Sequence, residues 1–284
     1  MNTYAAKLIP LILSIVMTGT TSNLHAQSTG NYADINGLKM YYEVHGSGFP
    51  LVLIHGGGST IETTFGRILP ELAKSHQVIA VEMQAHGHTR DIDREMTFEQ
   101  DADDIAALLK HLAITKADIF GFSNGASTTL HIVMRYPQLV NKIIIASTMY
   151  ERAGAFPGFW EMMMNASFDG MPQPYKEAYL KIVPDQDALY AMYNRDVTRM
   201  QNFKDIPEKS IASIEVPALI ICGDHDVNTV EHATKMFRTM KNAQLAIFPG
   251  GHGDYMGELT TLKPGQTTLA GLPVIRAFLD ANRQ

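Results

Sequence analysis

From residue 38 onward, short apolar runs alternate with stretches of helical periodicity, and this alternation leaves the chain few architectures to adopt. Residues 38–44, 51–55, 78–83, 117–122, 142–146, 218–222 and 244–248 read as strands. Several are unbroken Ile/Val/Leu stretches, the pattern of strands covered on both faces. The clearest helix is residues 97–112. Ile105, Leu108, Leu109 and Leu112 share one face, and Asp101, Asp103 and Asp104 sit toward the N-terminal half, where a helix dipole favours acidic groups. Residues 124–135, 230–240 and 269–280 are further helix candidates. Strand, helix, strand in repetition predicts an α/β fold, a mostly parallel central sheet with helices on both faces. A length of 284 residues suits one such domain carrying an insertion.

The alternation breaks between about residues 150 and 213. This stretch holds Pro157, Pro172, Pro174, Pro184 and Pro207, many Met and aromatic residues, and no strand-like run. So much apolar content argues against a solvated loop, and the segment reads as a helical cap inserted into a domain spanning residues 27–284.

Residues 1–26 read as an address rather than as structure. Lys7 gives a positive start, residues 8–17 are almost wholly apolar, and small and polar residues lead to Ala26. The apolar run is short for a bilayer span, so a cleaved signal peptide is the expectation, with an uncleaved anchor as the alternative. That implies export, periplasmic or secreted. Cleavage would remove one Lys and no acid, taking the formal charge from -6 to -7. A surface of that sign, with no Lys/Arg stripe, disfavours nucleic acid and anionic membrane as partners. Export permits disulfides, but Cys222 is the single cysteine and cannot form one internally.

The chemistry is carried by an ordered set of motifs. Gly121-Phe122-Ser123-Asn124-Gly125 matches G-x-S-x-G and falls between a predicted strand and a predicted helix. A nucleophilic serine needs a sharp turn there, with glycines leaving room for the helix to approach the sheet. His55-Gly56-Gly57-Gly58 follows another strand, and such a turn can aim a backbone N–H at a developing oxyanion. Gly57 is the first choice and Gly58 the alternative, with the N–H of Asn124 as the second donor. His55 itself reads as a residue that shapes the loop through hydrogen bonds. Gly223-Asp224-His225-Asp226 ends a later strand. Asp226 is placed to orient a catalytic imidazole, and Asp224 competes as a loop brace. His252, in Pro249-Gly250-Gly251-His252-Gly253, follows the last strand and is the candidate general base. Ser, Asp, His is the chain order expected of a fold of this kind.

With these residues in hand, the sequence resembles the α/β-hydrolase superfamily, and within it the cofactor-free serine esterases and C–C hydrolases that carry a helical cap after the sixth strand. The resemblance spans roughly residues 31–282. It implies Ser123, Asp226 and His252 as a triad, with Gly57 and Asn124 as the oxyanion hole, acting through an acyl-enzyme without metal or organic cofactor. The implied substrate is a small or medium carboxylic ester or lactone. Two other readings stay open: a C–C bond hydrolase of a diketone, with Arg152, Arg195 or Arg199 holding a substrate carboxylate, and a weakly active ligand-binding protein on the same fold. The loop at Glu82-Met83-Gln84-Ala85-His86-Gly87-His88 also resembles the family's, although Ala85 stands where a glycine is common and Thr89 supplies the small polar group. His86 and His88 read as solvated loop residues, with no third ligand at a metal-binding spacing. In the cap, Trp160, Met162, Met163 and Met164 are candidates for a substrate pocket, with burial against the main sheet as the competing reading.

Overall fold

The computed structural model describes residues 30–263 and 265–281. The predicted signal peptide, residues 1–26, lies outside the described residues. Eight strands, β1 (Asn31–Ile35), β2 (Leu38–His45), β3 (Phe49–Ile54), β4 (His76–Val81), β5 (Ala117–Phe122), β6 (Val140–Ala146), β7 (Ala218–Gly223) and β8 (Ala243–Phe248), form one sheet in the order β1-β2-β4-β3-β5-β6-β7-β8. The β1/β2 and β2/β4 pairings are antiparallel and the rest are parallel, so the expected mostly parallel sheet is what the chain builds.

Residues along each central strand point alternately to two cores. On one face Val52, Ile54, Ile119, Ile143, Ile145 and Ile220 pack against α3 (Phe98–His111), α4 (Asn124–Arg135) and α9 (Val230–Thr239) through Ile105, Leu109, Leu130 and Met236. On the other face Leu51, Leu53, Phe120, Ile144, Leu219 and Ile221 pack against α1 (Ile61–Phe65), α2 (Leu69–Leu72) and α10 (Leu272–Asp280) through Phe65, Leu72, Ile275 and Leu279. This two-sided burial is why the central strands read as unbroken apolar runs rather than alternating ones.

Several element ends shift by one or two residues from the sequence reading, the short helices α1 and α2 were not anticipated, and two differences are larger. Strand β1, Asn-Tyr-Ala-Asp-Ile, was not anticipated: it is an edge strand, mostly solvent-facing, with only Ala33 and Ile35 buried. Helix α10 begins at Leu272 rather than 269, with Pro273 in its first turn, where a missing N–H costs nothing. Elsewhere the caps follow sequence: the Thr97 hydroxyl accepts the N–H of Gln100 at the start of α3.

Between β6 and β7 run four helices, α5 (Phe159–Met164), α6 (Gln173–Ile182), α7 (Gln186–Gln201) and α8 (Glu208–Ala212), and no strand. The two ends of this segment are tied together. Ile206 N–H donates to the Tyr150 carbonyl at 2.7 Å, and Arg152 N–H donates to Asp205 Oδ1 at 2.6 Å.

Candidate active site

The parallel strands all end toward one edge of the sheet, and the loops that leave that edge carry the motifs. Ser123 occupies the single residue between β5 and α4, with φ 55° and ψ -121°. A side-chain-bearing residue in this region costs of order 1–3 kcal/mol, so the surroundings must hold it there. They do. Ser123 N–H donates to the Ala146 carbonyl of β6 at 2.8 Å, and its own carbonyl accepts the N–H groups of Ala126 and Ser127 in the first turn of α4. The flanking glycines have a steric reason. A Cβ on Gly121 would lie 2.1 Å from the Gly125 carbonyl oxygen, and one on Gly125 would lie 2.1 Å from that of Ile54. Any larger residue would push α4 off the sheet and unmake the turn.

His252, in the loop after β8, meets Asp226, in the loop after β7. The His252 Nδ1–Asp226 Oδ1 separation is 2.6 Å, and the Phe122 ring lies against the imidazole at 4.6 Å between centroids. Asp226 is buried and accepts three further hydrogen bonds, from Ser147 Oγ at 2.6 Å and Gly223 N–H at 2.9 Å to Oδ2, and from Val227 N–H at 2.7 Å to Oδ1. Burial works against its charge, but His252 and these donors outweigh it and hold the carboxyl below the usual carboxylate range. Asp224 faces solvent and braces the loop instead, accepting from Gly250 N–H at 2.9 Å and meeting His225 at 2.7 Å. Of the two acids weighed in Gly223–Asp226, the one that contacts the imidazole is therefore Asp226. Ser123 and His252 wall the same cavity. Among the described residues no hydrogen bond yet joins them, and such bonds commonly tighten only when substrate is bound.

The glycine turn after β3 lines the same cavity through Gly57 and Gly58. His55 is fully buried, its Nδ1 bonded to the Gly56 carbonyl at 2.7 Å and its Nε2 accepting Met83 N–H at 3.1 Å. Those two bonds fit a neutral ring, and burial pushes its pKa down to about 3, so His55 is the loop-shaping residue that the sequence suggested. Gly58 N–H is committed to Asp196 Oδ2 at 2.5 Å. Among the described residues none accepts from Gly57 N–H, so Gly57 has the available donor of the pair. Asn124 N–H belongs to the first turn of α4, where helix geometry provides no intrahelical acceptor.

The cavity these groups share is about 630 Å³. Its remaining wall comes mostly from the β6–β7 segment, including Phe159, Met162, Met163, Met171, Tyr193 and Met200. Two of the four residues expected there are elsewhere. Trp160 lies under Arg152 and against Phe203, with its indole N–H donated to the Arg152 carbonyl at 2.6 Å. Met164 ends α5 and faces solvent, 58% exposed. A six-residue helix can turn only part of its circumference to the cavity, and here that part is Phe159, Met162 and Met163.

The arginines are also placed differently from the sequence expectation. Arg199 is buried and paired with Asp101 and Asp196, Arg195 is bonded to Asp91 and the carbonyls of Ile92 and Arg94, and Arg152 covers Trp160. Among the described residues no Lys or Arg lines the cavity. His86 departs furthest: it is not solvated but fully buried, with Nε2 2.8 Å from Asp196. Sequence reasoning also missed Ser147 and Tyr255, whose hydroxyls meet at 2.8 Å behind Asp226. A lone Ser after an apolar strand gives no signal of that role.

Residues 50–178 match the model of the alpha/beta hydrolase fold family. Human serine hydrolase BPHL is 29% identical over 238 residues, covering 76% of this chain and 77% of that protein. The 2-hydroxymuconate semialdehyde hydrolase of Pseudomonas sp. (strain CF600) is 33% identical over 112 residues, 38% of this chain and 40% of that one. Among solved structures, a serine hydrolase involved in carbazole degradation (CarC enzyme) superposes with a TM-score of 0.72 at 24% identity, covering 89% of this chain and 98% of its own. Sheet order, elbow geometry and these likenesses agree: the chain has the α/β-hydrolase fold.

Proposed function

We propose that the protein is a serine hydrolase that cleaves small or medium carboxylic esters or lactones through an acyl-enzyme on Ser123. The observation that carries this reading is the 2.6 Å Asp226–His252 contact facing a serine held at positive φ across one cavity. In the proposed reaction His252 Nε2 takes the Ser123 proton as Oγ attacks the carbonyl carbon. Asp226 holds the Nδ1 proton and stabilises the imidazolium. The N–H groups of Gly57 and Asn124 receive the oxyanion. His252 then protonates the leaving alkoxide, and a water activated by the same base releases the acid.

The cavity wall supports a substrate with an apolar part. It also weighs against a carboxylated diketone, because none of the three arginines that might hold the carboxylate lines the cavity and each is engaged by other groups. C–C hydrolysis by the same triad is the second reading, kept by the likeness to the muconate semialdehyde hydrolase. The residues before Gln27 support export to the periplasm or medium, tested by N-terminal sequencing of the exported fraction.

The deciding experiment treats purified protein with a fluorophosphonate probe, maps the adduct, and measures turnover on p-nitrophenyl ester, lactone and dienone panels. Labelling at Ser123, ester turnover, and its loss in Ser123→Ala by roughly four to six orders of magnitude in kcat are expected. A probe adduct elsewhere with Ser123 unmodified sinks the assignment, and turnover confined to the dienones selects the C–C reading. Labelling without turnover of any panel leaves a ligand-binding protein.

A further inference from the structure

Three glycines in succession make a pliable turn, yet an oxyanion hole lowers a barrier only if its donors are already in place when charge develops. Something must therefore hold the peptides on both sides of Gly57. From the sheet side, His55 Nδ1 and Ser59 Oγ both bond the Gly56 carbonyl at 2.7 Å. The Gly56 carbonyl and the Gly57 N–H share one planar peptide, so these contacts hold the donor's own peptide and leave the following one, Gly57–Gly58, to be held. From the cavity side, the only described side chain bonded to the next peptide is Asp196, which accepts Gly58 N–H and comes from α7 in the β6–β7 segment, 138 residues away.

Asp196 also meets the second donor residue, with Asn124 Nδ2 3.5 Å from Oδ1. The packing is tight: a Cβ on Gly57 would come within 2.4 Å of Asn124 Nδ2 and 3.2 Å of Asp196 Oδ2. A bare carboxylate so placed would oppose a growing oxyanion. Here it is compensated by Arg199 Nη2 at 2.5 Å and His86 Nε2 at 2.8 Å, and Arg199 is in turn held by Asp101 Oδ2 at 2.7 Å. All four side chains are buried.

We infer that Asp196 is a positioning residue: the carboxylate of α7, neutralised by Arg199 and His86, fixes the Gly57–Gly58 peptide and so braces the donor residue Gly57 from its C-terminal side, completing the hold on the oxyanion hole that His55 and Ser59 begin. The inference rests on the reading of Gly57 and Asn124 as oxyanion donors. Asp196 touches no reacting atom, so its removal acts through donor placement. A displacement of about 1 Å in such a site can cost on the order of 100-fold.

The test compares Asp196→Asn with Arg195→Gln, which loosens the same helix at Asp91 without touching the glycine turn. For each variant kcat, KM, melting temperature and two inhibition constants are measured, one for an aliphatic trifluoromethyl ketone that adds Ser123 as an oxyanion, one for the matching methyl ketone. Asp196→Asn should lower kcat by roughly 10- to 100-fold with KM within about threefold, and weaken the trifluoromethyl ketone by the same factor but not the methyl ketone. Arg195→Gln should lower the melting temperature alone. Unchanged kcat and trifluoromethyl ketone affinity in Asp196→Asn overturn the inference, as does an equal loss in Arg195→Gln, which would make seating of the helix sufficient. If the Asn variant does not fold, His86→Gln keeps a donor for the carboxylate, removes the charge and should show a milder form of the same pattern; wild-type values there overturn the inference equally. Wild-type protein that fails to label at Ser123 defeats the hydrolase reading itself, whereas labelled wild type with a silent Asn variant defeats only this inference.

Discussion

Replacing Asp226 by Asn removes one charge and half the acceptors of a group that meets four donors. Oδ1 faces His252 Nδ1 and Val227 N–H, and Oδ2 faces Ser147 Oγ and Gly223 N–H. An amide has one oxygen, so two outcomes exist. With the oxygen toward Ser147 and Gly223, the NH2 faces His252 and the part-buried Val227 N–H, which loses its acceptor. The imidazole must then accept at Nδ1 and carry its proton on Nε2, pointing at Ser123 with no basic site. With the oxygen toward His252, the NH2 faces Gly223 N–H, which is left buried and unpaired at about 1–3 kcal/mol. Ser147 can rotate its hydroxyl to accept, so Gly223 decides the cost. The first arrangement costs less stability, because Val227 N–H is only part-buried, and loses roughly four orders of magnitude in kcat, the loss known for this substitution in a serine protease triad. The second keeps some activity and loses stability. Steady-state kinetics on a p-nitrophenyl ester and urea unfolding, run on Asp226→Asn and Asp224→Asn together, separate them. Asp224→Asn should stay within about tenfold of wild type, because its partners are the loop at Gly250 and the exposed His225. Equal losses in the two variants, or a larger loss at Asp224, would refute the reasoning.

The other predictions concern titration and the cavity wall. His55 and His232 are neutral in the fold, pushed by burial down to about 3 and about 4, while an unfolded chain takes up their protons below about 6.5. Stability should accordingly be full above that value and fall as pH drops through it, by on the order of 2 kcal/mol for each histidine at pH 5. The raised His86, paired with Asp196, has the opposite sign: its contribution is complete below about 6.5 and fades on the alkaline side. Urea midpoints that stay level or rise from pH 7.5 to 5 would contradict this balance. Met162→Ala or Met163→Ala should shift the preferred acyl length with changes in kcat/KM of at most roughly 10–200-fold, whereas Met164→Ala should not. Melting curves run alongside detect the alternative, in which selectivity holds and the half-buried Met163 serves packing alone, at a cost below the ~2–5 kcal/mol of a fully buried Met→Ala.

The parts of this molecule that sequence discloses are those set by local pattern. Unbroken apolar runs marked the strands of the central sheet, because two-sided burial removes alternation. Gly121 and Gly125 marked the elbow, because no side chain fits against the Gly125 and Ile54 carbonyls. What stayed hidden was long-range pairing. Asp196 and Arg199 stand three apart on a helix, a spacing usual for solvated ion pairs, and nothing local says that they are buried against His86 and Asp101. Strand β1 was hidden for the reverse reason, since an edge strand needs few apolar residues and its pairing with β2 supplies the order. Trp160 and Met164 show the limit of composition: a cluster of large apolar residues announces a contact surface without saying which members face which way.

The knotting together of Tyr150 with Ile206, and of Arg152 with Asp205, has an engineering consequence. The helical stretch leaves and re-enters the body through adjacent points, so a whole foreign roof can in principle be transplanted at that seam without rethreading the sheet. Such a chimaera would inherit the floor's nucleophile and base intact. It would not inherit a complete machine, because one anchor of the glycine turn travels with the roof. Donor segments lacking a carboxylate at the position of Asp196, or the compensating cation one helical turn later, would seat well and turn over poorly. Repair would then lie in restoring that pair rather than in reshaping the pocket.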